Sequence, residues 1–165
     1  MKRILLTLFL IMIATGCSSI GTAKNGSEYQ IEKSAIRLVN GVHEGKYDVL
    51  STDQVKIWVD NDEYMILLDT MPESNFKKEH IKGAVNFEMV SSEAKELSPV
   101  RKERLEAILG PDKNRPIVVY CGYTSCERSH AGAAQAIKLG YKNVYRYVGG
   151  IVAWKDAKNH VESNN

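Results

Sequence analysis

This sequence predicts an α/β domain built on a central, mainly parallel sheet flanked by helices, and three features carry that prediction. Short apolar runs that read as strands alternate with stretches of helical spacing. One of those runs, Ile117-Val118-Val119-Tyr120, lacks polar alternation, as a central strand covered on both faces must. The chain has 165 residues, enough for one domain with a real core. With 44% hydrophobic and 25% charged residues it is too apolar for intrinsic disorder. Its 22 Lys and Arg nearly balance 20 Asp and Glu, so the composition does not point to a nucleic-acid binder.

The N-terminal segment reads as an address. Met1-Lys2-Arg3 precedes an uncharged, mostly apolar run from Ile4 to Ala14, shorter than the roughly 18 residues a membrane span needs. Cations, a short apolar run and then small residues are the pattern of an export signal, here residues 1–16. Ala14-Thr15-Gly16-Cys17 resembles a bacterial lipobox, although Ala14 stands where Leu is usual. The resemblance implies lipidation of Cys17 and anchoring in the cell envelope by two or three acyl chains, since one chain binds a bilayer only marginally. Ser18 after the Cys favours outer-membrane sorting on the periplasmic side; ordinary cleavage and periplasmic release is the alternative. Residues 17–30 then form the lipidated Cys and a tether, whose residues 18–30, rich in Ser, Gly, Thr and Asn, reach at most about 45 Å. Taking Lys2 and Arg3 from the cations leaves 20 against 20 acids. The expected mature chain is neutral, so attraction of an anion must be local, in the loop after Cys121.

Ile31, Ala35, Ile36, Leu38, Val39 and Val42 fall at helical spacing and predict an amphipathic helix over 31–46. The main domain is expected over 47–158. Tyr47 to Leu50 is strand-like, and Ser51 or Thr52 caps a helix carrying Val55, Trp58 and Val59. Met65 to Asp69 is an apolar strand ending in a carboxylate, and Ala84 to Phe87 is another short strand. Between them Pro72 and a charged stretch through His80 read as a connection. Pro99 to Leu109 is a helix with Val100, Leu105, Ile108 and Leu109 on one face, stopped by Gly110-Pro111. Pro116 leads into the central strand 117–120. A helix follows from about Arg128 to Leu139, a strand from Asn143 to Val148, and a last helix around Ile151 to Ala157. Residues 159–165 are a polar tail.

The chemistry concentrates after the central strand. Parallel sheets bind ligands at the carboxyl ends of their strands, and Cys121 sits at such an end, before a polar loop and a helix. Loop N–H groups and the helix N-terminus there favour thiolate over thiol, which lowers a cysteine pKa and makes it a nucleophile. Gly122 permits the tight turn, Thr124 and Ser125 offer hydroxyl donors, and Arg128 can hold an anion bidentately.

Several motifs in order resemble those of single-domain rhodaneses over roughly Tyr47 to Asp156. Asp69 ends the second core strand. His80-Ile81-Lys82-Gly83-Ala84-Val85-Asn86 is similar to the family's His-Ile-x-Gly-Ala-x-Asn segment, and Val118-Val119-Tyr120-Cys121 to the strand leading to its catalytic Cys. Gly140-Tyr141-x-Asn143-Val144-Tyr145 and Gly149-Gly150-Ile151-x-Ala153-Trp154 are similar to its C-terminal signature. The resemblance implies a three-layer rhodanese-like fold and sulfurtransferase chemistry without metal or organic cofactor. A small sulfane-sulfur donor such as thiosulfate gives its outer sulfur to Cys121, and a thiol or cyanide then takes it. The substrate cradle would be Gly122, Tyr123, Thr124, Ser125, Cys126, Glu127 and Arg128. His80 is expected to be structural, Asp69 to fix the strand-end loop, and His130 to face solvent.

The loop departs from the pattern in two ways. Common single-domain rhodaneses and their phosphatase relatives carry an Arg soon after the Cys, but here Arg128 is seven positions on, and Gly122, Tyr123 and Glu127 put no cation beside the nucleophile. The second departure is Cys126, which is free to form a disulfide with Cys121, to resolve a persulfide, or to be a semi-buried thiol. Cys121, Cys126 and His130 lack a fourth ligand for zinc. Two alternatives to a sulfurtransferase therefore stay open: a noncatalytic rhodanese-like binding module, and a thiol redox protein using Cys121 and Cys126.

Overall fold

The computed structural model describes Thr22 and residues 27–164. The export signal, Cys17 and most of the tether lie outside the described residues. Helix α1 runs Glu28–Gly45, beginning before the apolar spacing at Ile31. There follow β1 (Asp48–Leu50), α2 (Thr52–Asp60), β2 (Ile66–Asp69), α3 (Glu73–Lys78), β3 (Val85–Asn86), α4 (Pro99–Leu109), β4 (Ile117–Tyr120), α5 (Glu127–Lys138), β5 (Val144–Tyr147) and α6 (Gly150–Asp156).

The five strands form one sheet in the order β1-β5-β4-β2-β3, with every pairing parallel. Leu67 pairs with Val118 and Leu68 with Val119. Successive side chains alternate across the sheet, so Leu68, Ile117 and Val119 join one core with Phe87, Leu105, Leu109 and Tyr141. Leu67, Val118 and Tyr120 join the other with Val55, Tyr147, Ile151 and Trp154. Burial on both faces is why residues 117–120 show no polar alternation; all four are buried.

Local signals explain most boundaries. Ser51 caps α2 through a reciprocal pair, its hydroxyl accepting from the Gln54 N–H while the Gln54 side chain accepts from the Ser51 N–H. Pro99 occupies the first turn of α4.

Helix α3 was not legible as a helix, because its six residues carry a single buried apolar side chain, Phe76. It is held by tertiary contacts. The imidazole of His80 stacks on Phe76 at 4.1 Å and its Nδ1–H donates to the Phe76 carbonyl at 2.8 Å. That agrees with a structural role for His80. Val100, expected on the inner face of α4, is exposed, whereas Leu105 and Leu109 are buried. The apolar spacing of α1 also fails to mark its contact face: Ile36 and Val39 are exposed, while Gly41 and Gly45 are buried. Close approach explains the inversion. A Cβ on Gly41 would lie 3.0 Å from the Tyr47 hydroxyl and 3.3 Å from His130 Nδ1, so the helix meets α5 through its small residues.

Candidate active site

Strand β4 delivers Cys121 to the carboxyl edge of the sheet, between β2 and β5. The chain turns through Gly122 to Ser125, and Cys126 occupies the N-cap of α5. The sulfur atoms of Cys121 and Cys126 are bonded as a disulfide, with Cα atoms 6.3 Å apart, within the range that disulfides span. In the oxidised state neither sulfur is a nucleophile, and a thiolate exists at Cys121 only after reduction.

Three supports hold the loop. From α6, the N–H groups of Ile151 and Val152 donate to the carbonyls of Cys121 at 2.9 Å and Gly122 at 3.0 Å. Gly150 makes this possible: its φ is +61°, and a Cβ there would overlap the Cys121 carbonyl and the Gly122 backbone. From β5, Arg146 reaches under the loop although it is only 3% exposed. Its guanidinium donates to the carbonyls of Thr124 at 3.0 Å and Cys126 at 2.8 Å, and to the Ser129 hydroxyl at 2.9 Å. From α1, the Ser34 hydroxyl bonds that of Ser125 at 2.8 Å, and Arg37 reaches the Ser125 carbonyl and the Glu127 carboxylate.

Arg146 was missed by the sequence reading. Its signal was a cation inside a strand whose other residues are Val144, Tyr145 and Tyr147, with no obvious water to face. A buried strand cation must find acceptors, and here these are carbonyls of the loop after Cys121. The same cation shapes the next layer. An Arg146 N–H points at the Tyr47 hydroxyl at 3.5 Å, and that hydroxyl is 3.0 Å from His130 Nδ1, to which it can donate. Burial pushes the His130 pKa below its usual value, and the Arg146 charge adds to this. His130 is therefore half-buried and tied to Tyr47, and it lines the groove beside α1.

A cavity of about 340 Å³ opens over the sulfur pair and brings together Cys121, Gly122, Tyr123, Cys126 and Arg128 of the predicted cradle. Met71, Asn75 and Lys78 line it from β2's exit and from α3, and Ile151 and Val152 from α6. From α3 and the residue after it, Lys78 and Glu79 add one cation and one carboxylate to the lining, the latter paired with Lys155. Arg128 spends its Nε–H on the Met89 carbonyl at 3.0 Å, which leaves its remaining N–H groups for the cavity. Ser125 and Glu127 lie apart, beside Arg37 in a neighbouring groove, and Thr124 lines neither space. Ser125 Oγ is hydrogen-bonded to Ser34 Oγ. Among the described residues, the N–H groups of Gly122, Tyr123, Thr124 and Ser125 have no protein acceptor, whereas that of Cys126 donates to the Tyr123 carbonyl at 2.9 Å.

Asp69 ends β2 with its side chain fully buried, and its Oδ1 accepts the Met71 N–H at 2.7 Å, which fixes the turn into the cavity wall. Burial raises its carboxyl to about 6, against the opposing pull of that N–H and the Tyr120 hydroxyl.

A parallel five-stranded sheet with a cysteine at the carboxyl end of its central strand, cradled by a loop and a helix start, defines a rhodanese-type domain. The chain belongs to that family: the rhodanese-like domain matches residues 51–157. Thiosulfate sulfurtransferase GlpE of Coxiella burnetii is 26% identical over 91 residues, which are 55% of this chain and 72% of that protein. Among solved structures, a thiosulfate sulfurtransferase from Pseudomonas aeruginosa superposes with a TM-score of 0.61 at 17% identity, over 84% of this chain and 26% of that one. The BH2092 protein of Bacillus halodurans gives 0.57 at 20% identity, over 85% and 87%. At these identities the structural matches speak for the fold.

Proposed function

We propose that this protein is a sulfurtransferase that moves sulfane sulfur through a persulfide on Cys121. The observation that carries the reading is the position of Cys121. It ends the central strand at a cavity edged by loop N–H groups with no protein acceptor, and lined also by Lys78, Glu79 and Arg128. After reduction, the thiolate attacks the outer sulfur of a small donor such as thiosulfate; the Cys121 Sγ–S bond forms and the donor leaves with the electron pair of the broken S–S bond. The terminal sulfur carries negative charge, which the loop N–H groups stabilise. A thiol or cyanide then attacks that sulfur and regenerates the thiolate, a two-step covalent route. The cavity admits small acceptors, and the sequence similarity to a thiosulfate sulfurtransferase supports the donor class.

The test is intact mass spectrometry of reduced protein after exposure to thiosulfate or polysulfide. One added sulfur is expected on the Cys126→Ser variant, which cannot close the disulfide, and none on Cys121→Ser; absence of the adduct from Cys126→Ser with every donor refutes the reading. The proposal extends to location: Cys17 carries acyl chains and holds the domain at the periplasmic side of an envelope membrane, the outer membrane by preference. Labelling with a fatty-acid analogue is expected to mark the wild-type protein but not Cys17→Ser, and equal labelling of both would refute the anchor.

A further inference from the structure

Beyond transfer to an outside acceptor, we infer that the Cys121–Cys126 pair makes this protein a reductase of sulfane sulfur, with Cys126 as the resolving thiol that expels the transferred sulfur as sulfide. The inference rests on the persulfide reading and adds a second fate for the same intermediate.

Three observations carry it. The two sulfurs bond to each other without any other element intervening, so Cys126 reaches the inner sulfur of a Cys121 persulfide. Cys126 is the N-cap of the twelve-residue α5 and makes no side-chain cap hydrogen bond, which puts its sulfur at the positive end of the helix, where thiolate is favoured. Finally, the loop between them is pinned at both ends. The Cys121 carbonyl is held by the Ile151 N–H and the Cys126 carbonyl by Arg146. A resolving thiol held this close acts as an intramolecular reactant, with an advantage of many orders of magnitude over a dilute acceptor. The outside acceptor must enter a cavity of about 340 Å³ whose reactive cysteines are only 2% and 5% exposed in the disulfide form.

The step balances as follows. The Cys126 thiolate attacks Sγ of Cys121, the Sγ126–Sγ121 bond forms, and the bond from Sγ121 to the outer sulfur breaks. The outer sulfur leaves with the electron pair and takes a proton as hydrosulfide. The sulfane sulfur is reduced by two electrons and the two cysteines are oxidised to the disulfide found in the structure. A dithiol reductant returns the pair to thiols and is itself oxidised to a disulfide. The net reaction converts one sulfane sulfur and one dithiol to sulfide and a disulfide.

The experiment is a single turnover without added thiol. Protein reduced with a phosphine and desalted is exposed briefly to polysulfide, desalted again, and followed by intact mass and sulfide release. Wild type is expected to release about one sulfide per chain and to finish as the intramolecular disulfide. Cys126→Ser is expected to keep its added sulfur, with release at least ten-fold slower. Equal release from both proteins, equal retention by both, or transfer of the sulfur to Cys126 on peptide mapping overturns the inference while leaving the persulfide reading intact. Failure of Cys126→Ser and wild type alike to take up sulfur from any donor, with no sulfide released, overturns the persulfide reading and this inference with it.

Discussion

Replacing Arg146 with Met tests whether a buried strand cation holds the loop after Cys121. The side chains have similar volumes, although methionine is shorter, so the change removes the guanidinium without leaving a large void. The Thr124 carbonyl loses its donor outright, whereas the Cys126 carbonyl keeps the Ser129 hydroxyl at 3.3 Å. Thr124 is exposed, so its carbonyl can turn to water, and the cost is that of the lost bonds, each to a charged donor worth about 1.5–3 kcal/mol. Methionine recovers part of this, because a cation no longer has to be desolvated. The net loss is about 2–3 kcal/mol, large against the few tenths expected of a neutral change. Urea denaturation of wild type and Arg146→Met under oxidising conditions measures it. Alkylation of Cys121 in the reduced proteins gives a second readout, because a loosened loop no longer concentrates its N–H groups on the sulfur, and a slower reaction at neutral pH is expected. Arg146→Lys is expected to fall between the two, since an ammonium cannot reproduce the guanidinium's fork. A Met variant within about 0.5 kcal/mol of wild type, with unchanged alkylation, would refute the reasoning.

Gly150→Ala is expected to cost about 1–2 kcal/mol from its positive φ alone, and more from overlap with the Cys121 carbonyl; thermal denaturation should show it, and an unchanged melting temperature would mean that α6 does not buttress the loop. For Asp69, the carboxyl raised to about 6 keeps its proton in the folded state where the unfolded chain, near 3.8, has lost it. Its contribution to stability is full below that lower value and is lost as pH rises through about 6, a fall of about 3 kcal/mol. Asp69→Asn should flatten this part of the stability profile, and an identical slope in wild type and variant would place the pH dependence elsewhere. Reducing the Cys121–Cys126 bond opens a short loop and is expected to lower stability by about 2 kcal/mol. Denaturation midpoints with and without reductant, alongside Cys126→Ser, check that value; no change on reduction of wild type would contradict it.

The parts of the site legible in sequence were those with a local cause. Cys121 follows an unbroken apolar strand and precedes a Gly-containing loop and a helix, and that order alone placed it at a sheet edge. The role of Asp69 was also readable, because a short carboxylate at a strand end commonly accepts the N–H two residues on. The cavity's far wall was not. Lys78 belongs to a six-residue helix with little apolar periodicity, and its approach to Cys121 depends on how β2 and α3 are placed across the sheet.

By itself the sequence determined the class of fold, the order of the elements other than α3 and the position of Cys121, because strand and helix periods, caps and turn residues act over a few neighbouring positions. Only the tertiary structure decided how that cysteine is equipped. It joined Cys121 to Cys126, brought Arg146 from a later strand beneath the loop, and engaged Ser125 with Ser34, 91 residues away. It also buried the glycine face of α1 and left Ile36 and Val39 outside. The reason is common to all of these. Hydrogen bonds and close packing between distant segments depend on sub-ångström placement of whole elements, and residue spacing along the chain does not encode which segment will arrive opposite it.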